Sequence, residues 1–174
     1  MFKSAPQSGQ MQMAEIYDRI GDTYDTTRTP DTQVLKSLMS HIDLRPTSRC
    51  LDIGCGTGNY TTDLNKIGGS WTGLEPSSQM LDAAKKKDGS IDWVHGRAEF
   101  LPFENDTFDS VICTLAIHHF IDLGQALREV GRVLRPAGKF VIFTVTPDQT
   151  RSYWLRWSQI VGQFGGLFKV YSAV

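Results

Sequence analysis

Two hydrophobic periods alternate along this chain. Short apolar runs, of the kind a strand buried on both faces shows, occur at Cys50-Leu51-Asp52-Ile53, Ser70-Trp71-Thr72-Gly73-Leu74-Glu75, Ile91-Asp92-Trp93-Val94-His95, and over residues 108–115 and 139–145. Between them, apolar residues recur at the spacing of an amphipathic helix: Val34, Leu35, Leu38, Met39 and Ile42; Tyr60, Leu64 and Ile67; Met80, Leu81 and Ala84; and Leu123, Ala126, Leu127, Val130, Val133 and Leu134, the last series after a capping Asp122. Pro46, Gly68-Gly69, Pro76, Asn105-Asp106 and Arg135-Pro136-Ala137-Gly138 punctuate the series as turns. Strand and helix in alternation predict an α/β fold, a three-layer Rossmann-like arrangement with a mostly parallel sheet and helices on both faces. Ahead of it, residues 11–27 place Ile16, Tyr17, Ile20 and Tyr24 at helical spacing around Gly21, and residues 1–10 read as a loose N-terminus. The expected organisation is a single domain over 11–174 with its ligand-binding core over 48–145.

The first strand carries an acid near its end and breaks into Gly54-Cys55-Gly56-Thr57-Gly58-Asn59. Glycines there permit positive φ and let a ligand lie against bare backbone, and the helix that follows contributes a partial positive end. Such a turn cradles a nucleotide-like ligand. The dinucleotide fingerprint needs its third glycine at the sixth position, which is Asn59 here, while Gly58 holds the fifth. Asp52 argues in the same direction, because a carboxylate beside the cradle repels a pyrophosphate and suits a ligand with an ammonium group. Glu75 lies at the carboxyl end of the next strand, where doubly wound folds place an acceptor for the two ribose hydroxyls. An acid capping the helix that begins near Ser77 is the alternative reading. Beyond the fourth strand, Leu115 and Ala116 border the crevice, followed by His118 and His119. One histidine of the pair can serve as a substrate-facing base, since imidazole is neutral near pH 7. As half of a metal site the pair lacks a third ligand at suitable spacing, so no metal is expected.

In these stretches the chain resembles the class I S-adenosylmethionine-dependent methyltransferases, of the small-molecule branch similar to the ubiquinone and menaquinone biosynthesis methyltransferases (the type 11 methyltransferase domain). The likeness runs from about Tyr17 to Val145. It implies S-adenosyl-L-methionine as cofactor, held by Asp52, Gly54, Gly56, Gly58 and Glu75, with Leu115 and Ala116 along its methionine and sulfonium. The Tyr-Asp repeats Tyr17-Asp18 and Tyr24-Asp25, with Arg28 and Pro30, resemble the segment that covers the cofactor, which implies Tyr24 over the methionine part and Arg28 on its carboxylate. Gly96-Arg97-Ala98-Glu99-Phe100-Leu101-Pro102-Phe103 resembles the adenine-facing loop, where Arg97 replaces the usual acid. A guanidinium cannot accept the adenine amino proton, so recognition is expected from the backbone around Ala98. Leu134-Arg135-Pro136-Ala137-Gly138 resembles a further element, with Ala137 in place of its first glycine. The family closes its sheet with a helix and an antiparallel pair, and only 29 residues follow Val145. A helix over 149–162 leaves room for at most one short strand through residues 167–171, so part of the antiparallel edge is expected to be missing. The expectation is self-association as a homo-oligomer through this end or a truncated form with impaired catalysis, the alternative being a shortened monomer whose tail packs fully.

Composition narrows the partners. The 174 residues include 18 basic and 19 acidic side chains, for a net charge of −1. The single basic cluster, Lys85-Lys86-Lys87, sits at a helix end, so nucleic acid is not an expected partner and a small molecule is; no apolar run approaches a membrane span, so no membrane partner is expected. Three cysteines without metal spacing read as reduced core residues of a cytoplasmic protein. The function expected is methyl transfer to a small-molecule acceptor. A non-catalytic S-adenosylmethionine-binding protein and an NAD-dependent oxidoreductase are the alternatives.

Overall fold

Between residues 30 and 144 each apolar run becomes a strand and each apolar stripe a helix. The computed structural model describes residues 30–144 and a strand at 168–171. Helix α1 (Thr32–His41) starts at Asp31, whose carboxylate accepts the Gln33 N–H at 2.7 Å. Then follow β1 (Arg49–Ile53), α2 (Asn59–Ile67), β2 (Ser70–Glu75), α3 (Ser78–Lys87), β3 (Asp92–His95), β4 (Phe108–Thr114), a single 3-10 turn (Ile117–His119), α4 (Leu123–Val133), β5 (Leu134–Phe143) and β6 (Phe168–Tyr171). The strands lie in the order β3-β2-β1-β4-β5-β6, and every pairing is parallel.

This order reverses direction between β1 and β4. Crossovers through α2 and α3 step outward on one side of β1, the chain then returns to its other side, and the right-handedness of such crossovers sends α4 to the opposite face. The two cores follow from it. Ala126, Val130 and Val133 of α4 pack on Leu51, Ile53, Val111, Cys113, Phe140 and Ile142. On the other face Val34, Leu38, Leu64, Leu81 and Ala84 pack on Cys50, Trp71, Ile112, Val141 and Phe143. Successive strand residues face opposite sides, so Asp52, between Leu51 and Ile53, points to the α1–α3 side. A crevice opens at the reversal, outside the carboxyl ends of β1 and β4.

The turn expected at residues 135–138 is instead a bulge within β5. Leu134 sits opposite Phe108 and Lys139 opposite Ser110, so β5 spends five residues where β4 spends two. Arg135 pins the bulge, donating to Asp109 at 2.7 Å and to the Asp106 carbonyl at 3.1 Å. Ala137 takes φ 65° there, a left-handed conformation that costs a non-glycine residue roughly 1–2 kcal/mol. Glycine's extra unfolded-state entropy returns about half of any gain. Ala137→Gly is therefore expected to stabilise the fold by about 0.5–1 kcal/mol, read as a rise of roughly 1–4 °C in thermal melting; a fall would show that the bulge is not strained.

Strand β6 falls where the sequence leaves room for one short C-terminal strand, but it runs parallel to β5, with Phe140 opposite Phe168 and Phe143 opposite Tyr171, so the described sheet has no antiparallel edge, unlike the partial one expected. The helix expected over residues 149–162 lies outside the described residues. Among those described, no helix is long and apolar enough to cross a membrane.

Candidate functional site

The site is built on the carboxyl ends of β1, β2 and β4. After Ile53 the chain turns through Gly54, Gly56 and Gly58, all with positive φ, at 72°, 56° and 74°. At Gly54 glycine is required twice over, because a Cβ there would also sit 2.5 Å from the Cβ of Ala116. The glycine turn and the loop after β4 interlock at that point. The Trp93 ring lies against Gly58 and Gly73 and forms a floor beneath the turn. The Gly54 and Cys55 N–H groups donate to the Leu74 carbonyl at 2.8 and 3.2 Å, which ties the turn to β2.

Two buried carboxylates flank the turn. Asp52, 2% exposed, accepts the Thr61 hydroxyl on Oδ2 at 2.7 Å, while its Oδ1 has no hydrogen-bond partner. Burial pushes its carboxyl up to about 7, against the lowering effect of the Thr61 bond and with a further push from Glu75. Glu75 accepts the Gly56 N–H on Oε2 and the Ser77 N–H on Oε1, each at 3.0 Å. The cap of α3 is Ser77 itself, whose hydroxyl accepts the Met80 N–H at 3.3 Å, and Glu75 only steadies that residue from the strand end. Cys55 lies within the turn, and burial followed by the charges of Asp52 and Glu75 holds its thiol well above the usual range. It remains protonated at neutral pH and is no nucleophile.

Beyond β3, Ala98 is buried at 5% exposure in the expected adenine-facing loop. Arg97 turns to Glu99 at 3.4 Å. Glu99 in turn accepts the Ile121 N–H at 2.6 Å and the Asp122 N–H at 3.4 Å, joining this loop to the one after β4. Arg132 donates to the Leu101 and Phe103 carbonyls at 2.9 and 2.7 Å and is held by Glu129, so the same loop is fastened to α4. Beyond β4, Leu115 takes φ 56° while its N–H donates to the Phe143 carbonyl at 2.7 Å. A leucine in that conformation is strained, and strain of this kind gathers at functional loops. His118 and His119 follow with ring centroids 3.9 Å apart. Burial lowers the His118 pKa, and burial together with His118 lowers that of His119 to about 4. Both are neutral at pH 7, and His119 is a weaker base than a free imidazole.

The structure thus brings together Asp52, Gly54, Gly56, Gly58 and Glu75 around one turn, with Ala116 in contact with Gly54. Ala98, His118 and His119 stand on the loops joined by Glu99. Tyr24 and Arg28 lie outside the described residues. The sequence alone assigns no site role to Thr61, Glu99, Arg132 or Trp93. A hydroxyl nine residues after Asp52, in the first turn of α2, was the available signal for Thr61.

Known proteins resemble this chain in the same regions. Residues 51–142 match the family described as the methyltransferase domain. A demethylmenaquinone methyltransferase of Bacillus cereus is 32% identical over 180 residues, covering 93% of this chain and 76% of its own, and one of Bacillus anthracis matches to the same extent. Among solved structures, an S-adenosylmethionine-dependent methyltransferase of Thermotoga maritima superposes with a TM-score of 0.62 at 27% identity, over 74% of this chain and 59% of its own. The YcgJ protein of Bacillus subtilis does so with a TM-score of 0.61 at 32% identity, over 64% of this chain and 50% of its own. The chain thus spans only about half to three-fifths of the length of those two solved structures.

Proposed function

This chain belongs to the S-adenosylmethionine-dependent methyltransferases, and on that premise we propose that it binds the cofactor across the carboxyl ends of β1, β2 and β4 and transfers its methyl group to a small-molecule acceptor in the cytoplasm. Asp52 Oδ1 carries the reading. A carboxylate oxygen that is buried and without a donor is costly unless a ligand supplies one, and the ammonium of the methionine moiety is such a donor. The residues present fit the group: an orphaned acceptor, a turn whose glycines leave the backbone bare, and a second carboxylate at the neighbouring strand end.

When bound, S-adenosylmethionine supplies an activated methyl on a good neutral leaving group, so the chain's own work is mainly alignment. In this proposal Asp52 orients the methionine end, Glu75 accepts the ribose hydroxyls while bracing the turn through Gly56, and backbone around Ala98 meets the adenine. Leu115 and Ala116 border the sulfonium side, and Tyr24 and Arg28 cover the methionine part. His118 and His119, both neutral, accept a hydrogen bond from the acceptor and hold its nucleophile toward the methyl. The low basicity of His119 suits this positioning role better than full proton removal.

Glu75→Ala is expected to weaken S-adenosylhomocysteine binding at least about tenfold, the equivalent of losing one charge-assisted hydrogen bond to a hydroxyl pair. Glu75→Gln, which keeps one acceptor oxygen, is expected to lose less. Isothermal titration calorimetry reads both. An unchanged dissociation constant for Glu75→Ala removes the ribose assignment. A methyl-transfer screen begins with a demethylmenaquinone, the acceptor for which the Bacillus relatives are named.

A further inference from the structure

We propose that Thr61 is a positioning residue for the cofactor, its hydroxyl holding one oxygen of Asp52 so that the other stays available to the ligand's cationic amino group. The inference rests on the cofactor reading above and adds to it a residue with no ligand contact of its own. Thr61 is fully buried in the first turn of α2, and Asp52 is 2% exposed near the end of β1. A helical threonine ordinarily returns its hydroxyl proton to a carbonyl three or four residues back. Thr61 gives it to Asp52 at 2.7 Å instead. That bond fixes the carboxylate's rotation, and the opposite oxygen is left without a donor. Two donors from the protein would make Asp52 a closed structural group; one donor leaves it half open.

The same bond favours the ionised carboxylate. The titratable groups around Asp52 are Glu75 on β2, which disfavours ionisation, and the thiols of Cys55 in the turn and Cys113 on β4. Burial keeps both thiols protonated through neutral pH. Thr61 is thus the side chain that supports the charge a cationic ligand needs. Thr62, the next residue, is also buried, and its hydroxyl has no partner. It provides a matched control.

The test is calorimetric titration with S-adenosylhomocysteine, which retains the amino group, from pH 6 to 9. Thr61→Val is expected to weaken binding about tenfold and to move the pH midpoint of binding upward by about one pH unit, both being the size of one hydrogen bond to a charged group. Thr61→Ser is expected to restore both, with affinity within about threefold of the parent, and Thr62→Val to change neither. In an Asp52→Asn background, Thr61→Val is expected to have no further effect on affinity. Thr61→Ala replaces the valine variant if thermal melting shows that valine disturbs the helix. Parental affinity and midpoint in Thr61→Val overturn the inference alone, as does a loss that serine fails to restore. If the unmutated chain takes up no S-adenosylhomocysteine, the cofactor reading falls and this inference with it.

Discussion

Asp52→Asn is expected to make the ligand-free protein more stable and the ligand-binding protein worse. Burial raises the Asp52 carboxyl to about 7 in the folded chain, whereas an unfolded aspartate titrates near 3.9. Between those values the folded state holds the proton that the unfolded state has lost, so the stability of the parent falls as pH rises through the window. The cost is complete above about pH 7 and absent near pH 4. Asparagine has no such titration. Its amide leaves a neutral donor unsatisfied, which offsets part of the gain. The net gain at pH 8 is expected to be on the order of 1–3 kcal/mol, fading toward pH 4, in urea denaturation of the ligand-free protein. Over the same pH 8 conditions the variant is expected to bind S-adenosylhomocysteine at least about tenfold more weakly, because the ammonium loses its counter-charge. A variant that loses stability as well as affinity would show Asp52 to be a structural carboxylate.

The second large effect is expected at Gly54. Alanine there meets two independent costs: a left-handed φ, at roughly 1–2 kcal/mol, and an overlap of its Cβ with that of Ala116 at 2.5 Å, at roughly 1–3 kcal/mol for overpacking. Gly54→Ala is therefore expected to lose about 2–5 kcal/mol, a large part of the 5–15 kcal/mol that holds an ordinary domain together. Adding Ala116→Gly removes the overlap and leaves the backbone strain. The double variant is expected to recover the steric share and no more, and the double-mutant cycle isolates that share. Gly54→Ala within about 0.5 kcal/mol of the parent would mean that the turn and the loop after β4 do not interlock.

Legibility in the sequence followed the locality of the cause. Strand β2 ends at Glu75 ahead of Pro76, as read, because proline cannot continue a sheet ladder. Asp122 caps α4 by accepting the Gln125 N–H at 2.9 Å, a contact set three residues apart in the chain. The β5 bulge was readable only as a turn, because whether Leu134 rejoins the ladder depends on Phe108 of β4. The site divides in the same way. Its glycines and acids are local signatures, whereas Thr61 looks like any helical threonine until α2 docks over β1. Glu99 sits in a recognisable loop, yet its carboxylate works at Ile121 and Asp122, 22 and 23 residues away. Trp93 reads as an ordinary strand aromatic, and only the assembled sheet brings its ring under Gly58 and Gly73. Arg97 has its own local reading. Its guanidinium pairs with Glu99, so the departure from the family's acid leaves a residue that braces the loop.

If the turn between β1 and α2 holds S-adenosylmethionine and no dinucleotide, calorimetric titration of the unmutated chain at pH 8 separates the two ligands. A saturable heat with S-adenosylhomocysteine and none with NAD is the expected outcome; saturable binding of NAD with no response to S-adenosylhomocysteine would mean that the turn is a dinucleotide site.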